Sequence, residues 1–263
     1  MGSAHSEGAL WNAGAHDWAE IQEGMLRPAY LAVFDALGVG PGVRLLDIGC
    51  GAGMAAQLAS ARGARVSGLD ASPASIEIAR GRTPDGDFHV GDMERLPFAD
   101  ATFDAVTSFN AIQFAADPVA ALRQALRVSA PGARVAVVIW GEPKDAEHAV
   151  TMRAVAALTP PPPPGAPGPF ALSAPGKLEA ILEQAGLRPL SGGPVQCPFV
   201  YPDAEAAWRG LSGAGPYVVA MRHCGEEAVK RAMLASLAPF ATPDGGYRQN
   251  NTFRYVIATA SAA

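Results

Sequence analysis

The sequence predicts an α/β fold: a mostly parallel sheet covered on both faces by helices. Three observations predict it. Short apolar runs alternate with amphipathic stretches from Val43 to Trp140, as βαβ units require. A glycine-rich turn joins the first apolar run to the helix after it. The length of 263 residues suits one α/β domain with insertions and a sizeable core.

Trp11 to Glu23 carries Trp11, Trp18 and Ile21 among polar residues and reads as a short amphipathic helix; Met1 to Ser6 is given no fold role. A second helix is predicted over Met25–Leu37, where Leu26, Tyr30, Val33, Phe34 and Leu37 recur at helical spacing. Turn residues from Gly38 to Gly42 end it. Val43–Ile48 is a short apolar run closed by glycines, the pattern of a buried parallel strand. Helix Met54–Arg62 and strand Arg65–Leu69 follow. Ser72 and Pro73 mark the start of a helix to Arg80. Asp87–Val90, Ala105–Phe109 and Ala133–Trp140 read as strands three to five, with helix Pro118–Val128 capped by Asp117 before the last of them. Beyond Trp140 the reading is looser. Ala146–Leu158 and Lys177–Ala185 are helical, while proline-rich Thr159–Pro169 is irregular. Val195–Tyr201 and Phe253–Ala258 read as strands, with helical stretches Ala204–Leu211 and Glu226–Leu237 between them.

The formal net charge is −5 with no basic run, which argues against a nucleic-acid partner. No apolar run reaches bilayer-crossing length, and no basic stretch leads into an apolar one at the N-terminus. Three scattered cysteines, Cys50, Cys197 and Cys224, make neither a disulfide framework nor a metal cluster. The expectation is a cytoplasmic protein without metal or membrane insertion, monomeric or homodimeric.

The chemistry concentrates in Val43-Arg-Leu-Leu-Asp-Ile-Gly-Cys-Gly-Ala-Gly53. Gly49, Gly51 and Gly53 permit positive φ and let a ligand lie on bare backbone, and the next helix N-terminus offers free N–H groups. A dinucleotide site would use the same geometry. The spacing, however, is G-x-G-x-G and not G-x-G-x-x-G, and Asp47 beside the turn would repel a pyrophosphate while welcoming a cationic amino-acid group. Asp70 ends the second strand about 20 residues on, the separation of an acid that binds ribose hydroxyls. Asp92 and Met93 follow the third strand and offer a nucleoside base an acceptor and an apolar wall. Each has a plainer reading as well: a solvated helix entry for Asp70, a turn residue for Asp92, core filler for Met93.

Leu45-Leu-Asp-Ile-Gly-Cys-Gly-Ala-Gly53, Gly68-Leu-Asp70, Gly91-Asp-Met-Glu-Arg-Leu-Pro-Phe98 and Phe103-Asp-Ala-Val106 resemble class I S-adenosylmethionine-dependent methyltransferases of the UbiE-like, type 11 kind. The resemblance implies a doubly wound, Rossmann-like sheet of seven strands with the last antiparallel, an N-terminal helical lid, and a helical insertion between the last two strands. It implies one methyltransferase domain over 1–263, divided into a lid (1–40), a cofactor-binding core (41–142) and a substrate-side half (143–263) with its insertion at about 202–245. S-adenosyl-L-methionine would be held by Trp18, Asp47, Gly49, Cys50, Gly51, Gly53, Asp70, Ala71, Asp92, Met93, Phe109 and Asn110. A small, hydrophobic or aromatic acceptor would meet Gln113, Phe114, Trp140, Trp208, Tyr217 and Met221. No catalytic triad is visible, and methyl transfer from an activated sulfonium needs none. A base matters only for a protonated acceptor, and His148 and His223 are its candidates. Rival readings are an S-adenosylmethionine-binding protein of this fold with another reaction or a binding role, and an NAD(P)-dependent oxidoreductase.

Overall fold

Leu45 and Leu46 are both fully buried but belong to different hydrophobic clusters, because successive strand residues point to opposite faces. That single pair fixes the first strand as one covered on both sides. The computed structural model describes residues 4–161, 166 and 168–260. In it β1 (Arg44–Ile48) lies between β2 (Arg65–Asp70) and β4 (Phe103–Phe109), in a seven-stranded sheet of order β3-β2-β1-β4-β5-β9-β6. Here β3 is Asp87–Val90, β5 Ser129–Trp140, β6 Leu187–Gln196 and β9 Thr252–Ala260. Strands β1 to β5 pair in parallel, and β9 runs antiparallel to both neighbours. The chain leaves β1 toward β2 and β3, then returns to β4 on the other side, which opens a crevice at the carboxyl ends of β1 and β4.

Helices α3 (Arg27–Leu37), α4 (Met54–Ala61) and α5 (Pro73–Arg82) bury Phe34, Ala56 and Ala79 in one cluster with Leu45. On the other face, α6 (Pro118–Val128) and α8 (Lys177–Gln184) bury Leu122 and Leu182 with Leu46. The predicted caps are present: Ser75 N–H donates to Ser72 Oγ at 3.2 Å and Ala120 N–H to Asp117 Oδ1 at 2.9 Å. No helix among the described residues is long and apolar enough to cross a membrane.

Three regions differ from the sequence reading. The N-terminal helix is broken: α1 spans Ala4–Trp11, a single turn α2 spans Ala15–Asp17, and Trp18–Leu26 continues as a π turn and a 3₁₀ turn. Gly14 explains the break, because its backbone lies against Gly213 and a Cβ there would sit 2.1 Å from Gly213 Cα. The strand expected over Val195–Tyr201 is two elements. Its first residues end β6, whose prolines and glycines hide it in the sequence but suit an edge strand. Phe199–Tyr201 (β7) leaves the sheet and pairs with β8 (Tyr247–Gln249). The insertion holds a third helix: α10 (Gly215–Cys224) lies between α9 (Ala204–Ser212) and α11 (Glu226–Leu237), with Gly213 before it and Gly225 after. Ala146–Leu158 is realised as α7 (His148–Ala156); of Thr159–Pro169, residues 162–165 and 167 lie outside the described residues.

The N-terminal segment docks on the insertion. Besides the Gly14–Gly213 approach, Tyr201 Oη donates to Gln22 Oε1 at 2.7 Å, and Arg209 reaches Asp17 at 2.5 Å and Glu20 at 2.8 Å. Gly14→Ala is expected to cost about 1–3 kcal/mol by overpacking. Gly81→Ala, in α5 with nothing within 4 Å of its added Cβ, is expected to be neutral or to stabilise by up to about 1 kcal/mol. Urea midpoints measure both; a Gly14→Ala protein as stable as wild type would contradict the docking.

Candidate active site

Gly49, Gly51 and Gly53 carry φ of 71°, 53° and 83°, so the turn after β1 uses the left-handed region at every second residue. Asp47, 2% exposed, pairs in register with Thr107 on β4 and accepts its hydroxyl at 2.8 Å. Burial pushes the Asp47 carboxyl up to about 8, the Thr107 hydrogen bond opposes this, and the nearby Glu23 and Asp70 charges add to it. Asp70 accepts Gly51 N–H on one oxygen at 2.9 Å and Ser72 N–H on the other at 2.8 Å. It is raised by burial in spite of those amides. The acid at the end of β2 therefore also holds the turn after β1 in place.

The N-terminus of α4 is not free, as the sequence suggested it would be. Met54 N–H donates to Glu23 Oε1 at 3.1 Å. The other oxygen of Glu23 pairs with Arg82, whose guanidinium also donates to Ala52 O at 3.0 Å and Ala19 O at 2.8 Å. Burial raises Glu23, with Arg82 opposing. The anion position of the turn is thus filled by the chain's own carboxylate, and an incoming pyrophosphate would meet two buried acids, Asp47 and Glu23, and the half-buried Asp70. Sequence reasoning missed Glu23 and Arg82 because they are 59 residues apart. The one available signal was a charged residue among Ile21, Met25 and Leu26.

Around the turn opens a cavity of about 1000 Å³, part of it open to solvent. Of the predicted cofactor residues, Trp18, Asp47, Gly49, Cys50, Gly51, Asp70, Ala71, Met93, Phe109 and Asn110 line it. Gly53 and Asp92 do not. Gly53 serves packing, since a Cβ would lie 2.7 Å from that of Ala79, and Asp92 accepts the Glu94 amide at 3.0 Å within its own turn. The N-terminal segment adds Glu7, Trp11, Leu26 and Tyr30. Trp11 donates to Glu7 at 3.2 Å and meets Trp18 edge-on, with centroids 5.1 Å apart.

A second cavity of about 470 Å³ shares Trp11, Trp18, Leu26, Asn110 and Phe114 with the first. The predicted acceptor residues Phe114, Trp140 and Tyr217 line it, and so does His148. Asn110 sits at φ 53° on the boundary, held by Gln113 Nε2, which donates to its Oδ1 at 2.5 Å. Gln113 therefore acts from behind the wall. Trp208 and Met221 are not brought to the cavity: Trp208 is buried in the core beneath Lys230, whose Nζ lies 5.5 Å from its ring centroid, and Met221 packs at the core's edge. His223 is exposed in the last turn of α10. His148 is 2% exposed and stacks on Trp140, and its Nδ1 lies 2.8 Å from Gln249 Oε1. Burial lowers its imidazole to about 4, against the Gln249 hydrogen bond. Gln249, fully buried, carried no sequence signal; a polar residue in a short strand looks like any other.

Comparison with known proteins agrees with this geometry. Residues 46–137 match the family model described as a methyltransferase domain. A demethylmenaquinone methyltransferase from Renibacterium salmoninarum is 39% identical over 111 residues, 42% of this chain and 47% of the relative. The chain spans about half the length of the curated relatives it matches. Among solved structures, the [4+2]-cyclase SpnF is similar with a TM-score of 0.56 and 21% identity, over 89% of this chain and 80% of that one. Geranyl diphosphate C-methyltransferase from Streptomyces coelicolor A3(2) is similar with a TM-score of 0.53 and 17% identity, over 88% and 78%. At these identities the structures speak to the fold. With its matched domain over residues 46–137, its glycine turn and its sheet order, the chain is similar to the class I S-adenosylmethionine-dependent methyltransferases of the UbiE-like kind.

Proposed function

We propose that this chain transfers the methyl group of S-adenosyl-L-methionine to a small, hydrophobic or aromatic metabolite. The observation that carries this reading is the acidic glycine turn: bare backbone at Gly49 and Gly51, a buried acid at Asp47, a half-buried one at Asp70, and Glu23 on the helix N-terminus. These residues fit a ligand with a cationic ammonium and sulfonium. They disfavour a dinucleotide, whose pyrophosphate would have to displace Glu23 from the first amide of α4.

Asp47 and the backbone of Gly49 to Gly51 would hold the methionyl end. Each Asp70 oxygen accepts one amide and has acceptor capacity left for a ribose hydroxyl. Cys50, Ala71 and Met93 would wall the adenine; Trp18, Phe109 and Asn110 would border the methyl group. Bound S-adenosylmethionine supplies a methyl carbon already activated by positive sulfur. The chain's part is to align the acceptor with that carbon and to exclude water. On this reading the chain is one domain: 1–40 act as a lid, 41–142 as the cofactor core and 143–263 as the substrate side. The name of one relative, a demethylmenaquinone methyltransferase, supports a small-molecule acceptor. The likeness to a cyclase favours one second reading, a non-methylating reaction beside the same ligand.

Calorimetric titration is expected to show S-adenosylmethionine and S-adenosylhomocysteine binding and NAD not binding. Asp70→Ala is expected to weaken binding about 10- to 100-fold, as loss of charged hydrogen bonds worth about 1.5–3 kcal/mol would. Binding of NAD alone would overturn the proposal, and absence of S-adenosylhomocysteine among products with every acceptor would favour the second reading. A second prediction concerns pH. The folded value of Asp47, about 8, lies above the ordinary 3.8, so its contribution to stability is full below 3.8 and is lost as pH rises through 8. Asp47→Asn is permanently neutral and keeps an acceptor for Thr107. It should match wild type at pH 4 and exceed it in thermal stability at pH 8, the gap growing by at most about 1.4 kcal/mol per pH unit between. Equal stability at pH 8 would show that Asp47 is not a buried carboxyl.

A further inference from the structure

The second cavity differs from the first in its charge. Among the described residues, no Asp, Glu, Lys or Arg lines it. A protonated amine would find no carboxylate there, and a phosphate or carboxylate no cation, so the chamber suits a neutral molecule. Its walls are aromatic: Trp18, Phe114, Trp140 and Phe199 surround it. Its polar side chains include one buried pair, His148 Nε2 and Tyr217 Oη, 3.4 Å apart. That contact is long for a hydrogen bond between them, so both atoms have capacity to share with a third group.

The state of the imidazole follows from the layer behind it. Gln249 Nε2 donates to Thr151 Oγ1 at 3.0 Å, and in this orientation Gln249 Oε1 lies 2.8 Å from His148 Nδ1. An amide oxygen only accepts, so Nδ1 carries the proton and Nε2 presents a lone pair to the chamber. All four side chains are buried, and they come from α7, β8 and α10.

Resting on the methyl-transfer reading, we propose that this chamber takes a neutral aromatic acceptor through its hydroxyl group. The hydroxyl donates to His148 Nε2 and accepts from Tyr217 Oη, and His148 is the proton acceptor for O-methylation. In the transfer the acceptor's O–H bond breaks and its proton goes to the Nε2 lone pair. The oxygen pair forms the bond to the methyl carbon, and the C–S pair stays on sulfur as the neutral thioether. The imidazolium then returns its proton to water when the product leaves. Gln249 and Thr151 are positioning residues that fix the tautomer.

The test uses the full chain labelled with ¹⁵N-histidine, with His148 assigned by its loss in His148→Phe, and two probes, 2-naphthol and naphthalene. At pH 7, long-range ¹H–¹⁵N correlation should show His148 as the Nδ1–H tautomer. 2-Naphthol should bind at least tenfold more tightly than naphthalene, with quenching of tryptophan fluorescence. His148→Phe, which keeps the chamber apolar, should abolish that difference while naphthalene still binds. Gln249→Leu should shift His148 toward the Nε2–H tautomer and shrink the difference. An Nε2–H tautomer in wild type, or equal binding of the two probes, would overturn the inference. These readouts need no cofactor. Failure of S-adenosylhomocysteine to bind in a parallel titration would instead count against the methyl-transfer reading.

Discussion

Glu23 couples the segment before the sheet to the turn inside it. Its carboxylate meets the first amide of α4 and the guanidinium of Arg82 in one buried contact, and Arg82 continues to the carbonyls of Ala19 and Ala52. A buried pair of this kind is costly to desolvate and is tolerated where further hydrogen bonds complete it. Here they do, and the geometry follows from them. Trp18 and Leu26 stand over the glycine turn because Ala19 and Glu23, which lie between them in sequence, are tied to it. The contact also sets the sign of the site. With the helix N-terminus already occupied, the groups that face Gly49 and Gly51 are the acids Asp47, Asp70 and Glu23, an environment that suits a cation better than a phosphate.

The two cavities illustrate how a sheet with one switch point can serve two ligands. The first lies over the carboxyl ends of β1 and β2 and is acidic. The second, beyond Asn110 and Phe114 toward β5, holds no charged lining residue among those described. Their shared wall contains Trp11, Trp18 and Leu26 from the N-terminal segment, and their common cover joins that segment to the insertion through Gly14 and Gly213. Charge thus separates the two cavities while packing joins them.

What was legible in the sequence was local. The glycine turn, Asp47, Asp70 and the Ser72 and Asp117 caps depend on residues a few positions apart, and the structure places them where that spacing requires. Strand β6 was displaced in the reading because Pro189, Gly192, Gly193 and Pro194 break the apolar pattern, a composition only an edge position explains. Helix α10 was missed for a related reason: glycines and a proline at its start look like loop. Trp208 was assigned to the acceptor site because an aromatic in an insertion invites that reading, yet α9 turns it into the core. The partners that complete the sites, Arg82 for Glu23 and Gln249 for His148, are 59 and 101 residues away. No window along the chain contains both members of either pair.

Proton-linked calorimetry distinguishes a glycine turn whose acids receive a cationic ligand from one whose acids only hold the fold. At pH 7 a carboxyl raised to about 8 is mostly protonated, and a cation beside it favours its ionised form. The account predicts that S-adenosylmethionine binding releases most of one proton, seen as an apparent enthalpy that varies with the ionisation enthalpy of the buffer. Asp47→Asn should remove that dependence. An enthalpy independent of buffer in the wild-type protein, with binding intact, would contradict it.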